Sequence, residues 1–359
     1  MDNTVIEEKA ATNASALAKA WEGLQQAKPG IRIREGAREL GTTEAALVAT
    51  MVGTQAIRLN NNWHALVKRL PELGHVMSLT RNNSCILEHK GSFEQVSASG
   101  GVGTVIGPIE TRMFFFNWHV AFLVEQEKSG RKLTSLQVFD KAGDAITKIY
   151  LQEGKSSYEA LAGIEEDFRS EDQSQEQDTT PYPPKNFATE VDVESLLYDW
   201  SELQDTHHFH SMLQKYELQR HHALQLAKGP FTYEVDPACS KTLLEAASAA
   251  KIPIMIFVGN RGNIQIHQDK VRTIRVLERG HAGAETWVNV LDPHFNMHLL
   301  QDTIASAWVV LKPTRDGLVT SVELFDHHQE LVVSYFGLRK PGQPEMEEWK
   351  NLVKQLPKL

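Results

Sequence analysis

Thr134-Ser135-Leu136-Gln137-Val138-Phe139-Asp140 returns downstream as Thr320-Ser321-Val322-Glu323-Leu324-Phe325-Asp326, at an offset of 186 residues. The same register holds without a gap from Arg112 to Tyr150. It sets Ala121-Phe122 against Ala307-Trp308 and Ile149-Tyr150 against Tyr335-Phe336. Upstream, Cys85-Ile86-Leu87-Glu88-His89 matches Asn263-Ile264-Gln265-Ile266-His267, and Ile33 to Gly53 loosely tracks Phe209 to Gly229. Self-similarity over this length means that one structural unit occurs twice. Positions at which the copies differ chemically are then the first places to look for function.

In the first copy, short β-rich runs at 76–79, 85–88, 112–116, 121–125, 134–139 and 145–150 are separated by Gly-, Asn- and Lys-rich turns, which predicts an antiparallel meander. The second copy repeats the pattern at 253–258, 263–267, 271–278, 287–291, 297–300, 305–311, 319–325 and 331–336. An amphipathic helix over 345–356 follows Pro344. Helices lead each copy. An Ala- and Leu-rich pattern covers 13–28, two short helices flank Leu40-Gly41-Thr42-Thr43, and further helices span about 190–227. Gly41 ends the first of the short pair, and Thr42 or Thr43 caps the second. The fold class is α+β: a tandem repeat, each half with leading helices followed by a large antiparallel β-sheet. Residues 163–185 combine Glu165-Glu166-Asp167, a Gln/Ser/Asp stretch and Pro181-Tyr182-Pro183-Pro184, and read as a linker too polar to order itself. They divide an N-terminal repeat, 1–162, from a C-terminal repeat, 186–359.

A chain of 359 residues gives each copy enough length for its own core. The net charge of -9 argues against generic attraction to nucleic acid or to an anionic membrane surface. No apolar run approaches the roughly 18 residues of a membrane span, and Met1-Asp2-Asn3-Thr4 lacks the basic start of a secretory signal. Cys85 and Cys239 are too few for a disulfide framework or a thiolate metal cage, so a reducing, cytoplasmic location is expected. The outline of residues 33–51 is that of a helix-turn-helix, which raises a DNA-binding regulator as an alternative. Its second helix, Glu44-Ala45-Ala46-Leu47-Val48-Ala49, carries no base to reach a phosphate.

Histidine is the densest chemical signal: His207, His208, His210, His221 and His222 fall within 16 residues. Three readings compete. A zinc site needs further ligands, and neither a Cys nor an H-E-x-x-H pattern supplies them. A solvated surface run has no role. A single axial ligand to haem iron needs one imidazole, cations for two propionates, an apolar wall and a distal group. Cations stand at Arg220, at Lys312 on a strand end, and at Arg339 and Lys340. Arg112 directly precedes Met113-Phe114-Phe115-Phe116 and is replaced in the second copy by His298. Such an arginine either snorkels to water or places fixed donors in an apolar cavity. Gly100-Gly101-Val102-Gly103 lacks the surroundings of a phosphate cradle and reads as a loop, and Cys239 reads as a small buried residue. The groups 114–116 and 335–336 read as core.

Five stretches together resemble the HemS/HmuS/ChuS family of haemin-degrading factors: Asp205-Thr206-His207-His208-Phe209-His210, Asn260-Arg261-Gly262-Asn263-Ile264-Gln265-Ile266-His267, Trp287-Val288-Asn289-Val290-Leu291-Asp292-Pro293, Phe295-Asn296-Met297-His298-Leu299 and Phe336-Gly337-Leu338-Arg339-Lys340-Pro341-Gly342. The resemblance runs over essentially the whole chain. It implies that haem is held on the C-terminal side with His207 as proximal iron ligand and Arg112 as distal arginine. Arg220, Lys312 and Arg339 match basic residues near the propionates or pocket, and His208 and His210 resemble neighbours in members where alternative His ligation accompanies haem transfer. Phe336 stands where some relatives carry Tyr. The activity implied is acceptance of haem from an inner-membrane importer and delivery to a haem oxygenase. The alternative is reductant-dependent, haem oxygenase-like cleavage with Arg112 as the catalytic distal residue.

Overall fold

The computed structural model describes residues 2–128, 130–279, 285–339 and 342–359. Helices α1 (Asp2–Ala27), α2 (Ile33–Glu39) and α3 (Glu44–Ala49) lead, followed by β1 (Ala56–Leu59) and α4 (Trp63–Arg69). Strands β2 (Gly74–Arg81), β3 (Cys85–Gly91), β4 (Gln95–Ser99), β5 (Val102–Ile106) and β6 (Glu110–Phe114) come next. Then come β7 (Val120–Lys128), β8 (Arg131–Phe139), β9 (Ala145–Ser156) and α5 (Tyr158–Phe168). The second copy opens with α6 (Val193–Ser201), α7 (His208–Lys215), α8 (Arg220–Leu226), β10 (Thr232–Val235) and α9 (Cys239–Ala249). Strands β11 (Ile254–Gly259), β12 (Asn263–Asp269), β13 (Ile274–Arg279), β14 (Glu285–Leu291) and β15 (Phe295–Leu300) follow. The chain ends with β16 (Ile304–Thr314), β17 (Gly317–Asp326), β18 (Leu331–Gly337) and α10 (Glu347–Lys354).

Two compact units emerge. The first comprises Met1–Thr80, His89–Pro183 and Asn260–Ile264, and the second Arg81–Glu88, Pro184–Gly259 and Gln265–Leu359. In the first, β1-β7-β8-β9-β2 pair antiparallel in that order, as do β4-β5-β6. In the second, β10-β16-β17-β18-β11 and β13-β14-β15 repeat both arrangements. The α+β tandem repeat expected from sequence is what the chain adopts, and it extends to elements not expected beforehand, such as β1 with β10 and α4 with α9.

Side chains alternate across a strand, so each sheet has two faces to bury. In the second unit Ala307, Val309, Val322, Leu324 and Tyr335 pack against Leu243, Leu244, Trp349 and Val353 of α9 and α10. Trp308, Val310 and Phe325 point to the other face, where Leu196, Trp200, Phe209 and Leu224 of α6–α8 cover them. The first unit repeats this. Helices α4 and α5 cover one face, and Ala45, Val48 and Ala49 of α3 meet Val120, Phe122, Val124 and Phe139 on the other. Burying each large apolar side chain contributes about 1.5–3 kcal/mol.

Gly41, at φ 65, ends α2, and Thr43 Oγ1 caps α3 by accepting the Ala46 N–H at 3.2 Å. All of α3 except half-buried Ala46 is buried. The DNA-reading alternative therefore fails on geometry, because this helix has no exposed face to enter a groove.

The segment expected as a linker begins inside α5, whose Ile164 and Phe168 are buried. Beyond it the polar stretch is ordered by hydrogen bonds instead of apolar burial. Arg58 donates from Nη1 to Gln177 Oε1 (2.5 Å) and from Nη2 to the carbonyls of Ser174 (3.1 Å) and Glu176 (2.6 Å). Gln173 closes on both backbone groups of Arg58, its Oε1 accepting the N–H at 3.1 Å and its Nε2 donating to the carbonyl at 2.8 Å. Three smaller departures stand out. Val271, at the head of a run expected as strand, is a buried residue before β13. Of residues 100–103, expected as a loop, Gly100 (φ 56) and Gly101 form the tight turn of the β4–β5 hairpin, and Val102 and Gly103 open β5. Of the three phenylalanines after Met113, Phe115 is core but Phe116 is 72% exposed.

Candidate functional site

The helix-covered face of the second unit carries the polar cluster. In α7 the spacing of Phe209, Met212 and Leu213 buries one side of the helix, so His208 and His210, on either side of Phe209, are exposed. Trp200 holds the Phe209 ring edge-on at 4.7 Å and anchors α6 by donating Nε1–H to the Leu311 carbonyl at 2.9 Å. Two cations sit over that ring, Lys312 Nζ at 4.7 Å and the Arg220 guanidinium at 4.9 Å from its centre.

Both cations bind Glu323. Arg220 donates in a fork, Nε to Oε2 and Nη2 to Oε1, each at 2.7 Å, and Lys312 Nζ donates to Oε1 at 2.8 Å. Ser321 Oγ adds a donor to Oε1 at 2.9 Å. Glu323 is fully buried, Lys312 nearly so, and Arg220 is 27% exposed. Burial alone would raise the Glu323 pKa, but Arg220 and Lys312 outweigh it and hold the carboxyl well below the usual range. Burial, opposed by Glu323, pulls Lys312 down to about 8. One acid thus faces two bases, leaving an excess of positive charge. Met255, Phe257 and Phe336 are half-buried and share the sheet face beyond the cluster, with Met255 paired to Phe336 and Ser321 to Phe336 across strands. Lys312 Nζ also lies 5.5 Å from the Phe336 ring centre. This strip is an apolar wall ending in cations, so Phe336 is half-buried beside the cluster and not core as expected.

His207 lies two residues before Phe209, at the N-cap of α7, with its side chain 92% exposed. Asp205 Oδ1 is 2.6 Å from Nδ1 and also accepts the His207 backbone N–H at 2.8 Å. That backbone N–H, joined by the ring, holds the Asp205 carboxyl below its usual range. A carboxylate on Nδ1 selects the tautomer whose Nε2 lone pair is open to a ligand. The loop is pinned to the β16–β17 turn, where Arg315 N–H donates to the Gln204 carbonyl at 3.1 Å. From the same turn Asp316 Oδ2 lies 3.6 Å from buried Arg339 Nη1, an ion pair too long to be a hydrogen bond. Lys340 falls outside the described residues.

The histidine run is not one functional group. The helix is broken between Tyr216 and Gln219, with Glu217 at φ 50, so Arg220 opens a separate helix. His221 is buried edge-on to Trp308 and Phe325, its Nε2 3.0 Å from Ser306 Oγ, and burial lowers its pKa. Among the described residues no group of three or more His, Cys, Asp or Glu is placed to hold a metal ion, so the histidine run gathers no zinc ligands there. Cys239 is a buried core residue, as expected.

Arg112 belongs to the first unit, on β6. Its Nη2 donates to Glu110 Oε1 at 2.9 Å, and its Nη1 to the carbonyls of Val105 (3.2 Å) and Thr111 (3.1 Å). Cross-strand pairing sets it beside Thr104, with Val102 and Phe114 paired next along the same face. Val102 and Ile106 there are each more than 40% exposed, so a fixed guanidinium stands in an apolar, open sheet face.

Arg220 and Lys312 are therefore brought together, with His207 two residues from the ring they share, while Arg112 lies in the other unit. Sequence reasoning missed Glu323 although it lies inside the opening motif, where the first copy has Gln137. A cleft of about 700 Å³ in the first unit, lined by Arg58, Asn60, His119 and Asp172 among others, holds none of the expected residues.

An α+β tandem repeat with a cation-ended apolar wall and a carboxylate-oriented histidine defines the class. By comparison with known proteins, the chain is 39% identical to the heme-binding protein PhuS of Pseudomonas aeruginosa, whose holo form superposes with a TM-score of 0.92 over 96% of this chain and 99% of that one. It is 27% identical to the heme degrading enzyme ChuS of Escherichia coli O157:H7, at a TM-score of 0.87 over 96% and 99%. It is also 32% identical to the hemin transport protein HemS of Yersinia enterocolitica, over 94% of this chain and 96% of that one. The model of the haemin-degrading HemS/ChuX domain matches twice, at residues 41–167 and 217–356, and the chain belongs to that family.

Proposed function

We propose that this protein binds one haem per chain as cargo through His207, receives it from an inner-membrane importer and delivers it to a haem oxygenase in the cytoplasm. The observation that carries the reading is His207 itself. Its Nδ1 is held by Asp205, its Nε2 is open, and it stands two residues from a ring bearing two cations. Haem needs an axial lone pair, an apolar surface for the macrocycle and cations for its propionates. Met255, Phe257 and Phe336 suit the macrocycle, and Arg220, Lys312 and Arg339, whose Nη1 makes only a long ion pair with Asp316, suit the carboxylates. Exposed His208 and His210 beside the ligand favour delivery, because a second imidazole offers a stepwise route for exchange. Both cysteines are buried and free, which fits a reducing compartment. No helix among the described residues is long and apolar enough to cross a membrane.

Titration with haemin tests the reading. One equivalent should saturate the chain, and His207→Ala should shift the Soret band and weaken binding about 100-fold or more. An unchanged band and affinity in a variant lacking His207, His208 and His210 would reject it. A second reading, haem degradation, is favoured by Arg112, whose three hydrogen bonds hold it rigid in an apolar face. When bound, haem supplies the redox-active iron. Arg112 supplies a fixed cation that orders water and excludes alternative positions of charge. Haem-loaded protein given an electron donor with catalase present should then lose its Soret band and yield a tetrapyrrole product that Arg112→Ala suppresses. Loss of the band without such a product would exclude enzymatic cleavage.

A further inference from the structure

Glu323 is the one member of the cation cluster whose role neither the motif nor the propionate chemistry explains. A carboxylate in an anion-receiving site competes with the ligand, and burying it is costly unless it is paired. We propose that Glu323 is a positioning residue: its carboxylate locks Arg220 and Lys312 side by side as one receptor for the carboxylates of haem. The proposal rests on the haem reading above.

The duplication supplies an internal control. Glu323 is matched by Gln137, Lys312 by Gln126, Arg220 by Glu44 and Ser321 by Ser135. In the first copy Gln137 is bonded to Ser135 at 3.0 Å, the same neighbour that Ser321 is to Glu323. The sheet therefore accepts a neutral amide at this place, and the acid accompanies the two bases. With the fork of Arg220 on Oε2 and Oε1 and Lys312 on Oε1, the carboxylate fixes the direction of both cations over the Phe209 ring. It also keeps the lysine charged. Lys312 is faced by Glu323 and Ser321 from β17, by Arg220 from α8, and by the rings of Phe209 from α7 and Phe336 from β18. Burial and Arg220 both favour its neutral form, and Glu323 alone opposes them.

The full-length protein is titrated with haemin and with haemin dimethyl ester, which lacks free carboxylates, between pH 6.5 and 9. For the wild type, haemin affinity should fall as pH rises through about 8, where Lys312 loses its proton, while ester affinity stays flat. In Glu323→Gln, haemin affinity at pH 7 should drop on the order of tenfold, and its decline should move to lower pH. Ester affinity and the His207-dependent Soret band should not change. Glu323→Asp should recover part of the loss. The pair Lys312→Gln with Glu323→Gln, which gives these two strand positions the residues the first copy carries there, should fold and bind haemin no better than ester. Wild-type affinity and pH profile in Glu323→Gln would overturn the positioning role, as would equal losses for haemin and ester. Failure of the wild type to bind either ligand would instead overturn the haem reading.

Discussion

The same place on the same fold is built differently in the two copies. In the first, Glu44 opens α3 and meets Lys148 at 3.1 Å, both buried, with Gln126 and Gln137 nearby in the corresponding strands. In the second, Arg220 opens α8, Lys312 and Glu323 replace the glutamines, and Ser334 stands where Lys148 would be. One acid and one base close the first cluster on itself. The second has a surplus base, a half-buried apolar strip beside it and a histidine at the preceding helix, where the first copy has Ile31. The backbone is the same in both copies, so on the proposed reading binding traces to a handful of polar exchanges in the second.

The comparison can be broken most forcefully at Glu44. Glu44→Gln leaves Lys148 buried without its acid and should cost about 3–5 kcal/mol in denaturant unfolding, while haemin affinity of the folded protein stays as in the wild type. A loss of haemin affinity with unchanged stability would mean that the copies have been assigned the wrong way round. A smaller effect is expected at Arg58, matched in the second copy by Glu234, which pairs with Lys228 instead. Arg58→Met removes the donors holding residues 174–177 and should cost about 2–3 kcal/mol, with faster hydrogen exchange confined to 170–180. Phe336→Tyr gives the second copy the hydroxyl that Tyr150 has in the first. It should strengthen haemin binding by a few-fold, about one hydrogen bond, and leave the dimethyl ester unaffected. The smallest change sharpens the helix comparison. Thr43→Ala removes the α3 cap for about 1 kcal/mol, whereas Gln219→Ala, at a cap position whose side chain makes no capping hydrogen bond and only an exposed 3.3 Å one to the Gln329 carbonyl, should be nearly neutral.

Much of the architecture could be read beforehand because strand alternation and the internal repeat both report on buried faces. The elements that escaped were those with weak periodicity, such as two-turn α4 and the four-residue strands β1 and β10. The ordered stretch after α5 was missed for another reason. Its order comes from Arg58 and the amides of Gln173 and Gln177, and hydrogen bonds between distant polar residues leave no pattern in composition. The cations of the site were visible as residue types, but their convergence on one carboxylate was not. Gln137 and Glu323 are nearly the same shape, and only the geometry shows that the acid sits between two bases. The histidine run misled in part, since His221 is fixed by Trp308, Phe325 and Ser306 as a core residue.

The claim on which the rest depends is that the open nitrogen of His207 takes an axial position on haem iron. Chemical rescue tests it most directly. In a background of His208→Ala and His210→Ala, His207→Gly is loaded with haem and reduced, and the iron–imidazole stretch is followed by resonance Raman scattering. The band should be present with His207 intact, absent in the glycine variant, and restored by added imidazole. A band that persists in the glycine variant without imidazole would contradict the account.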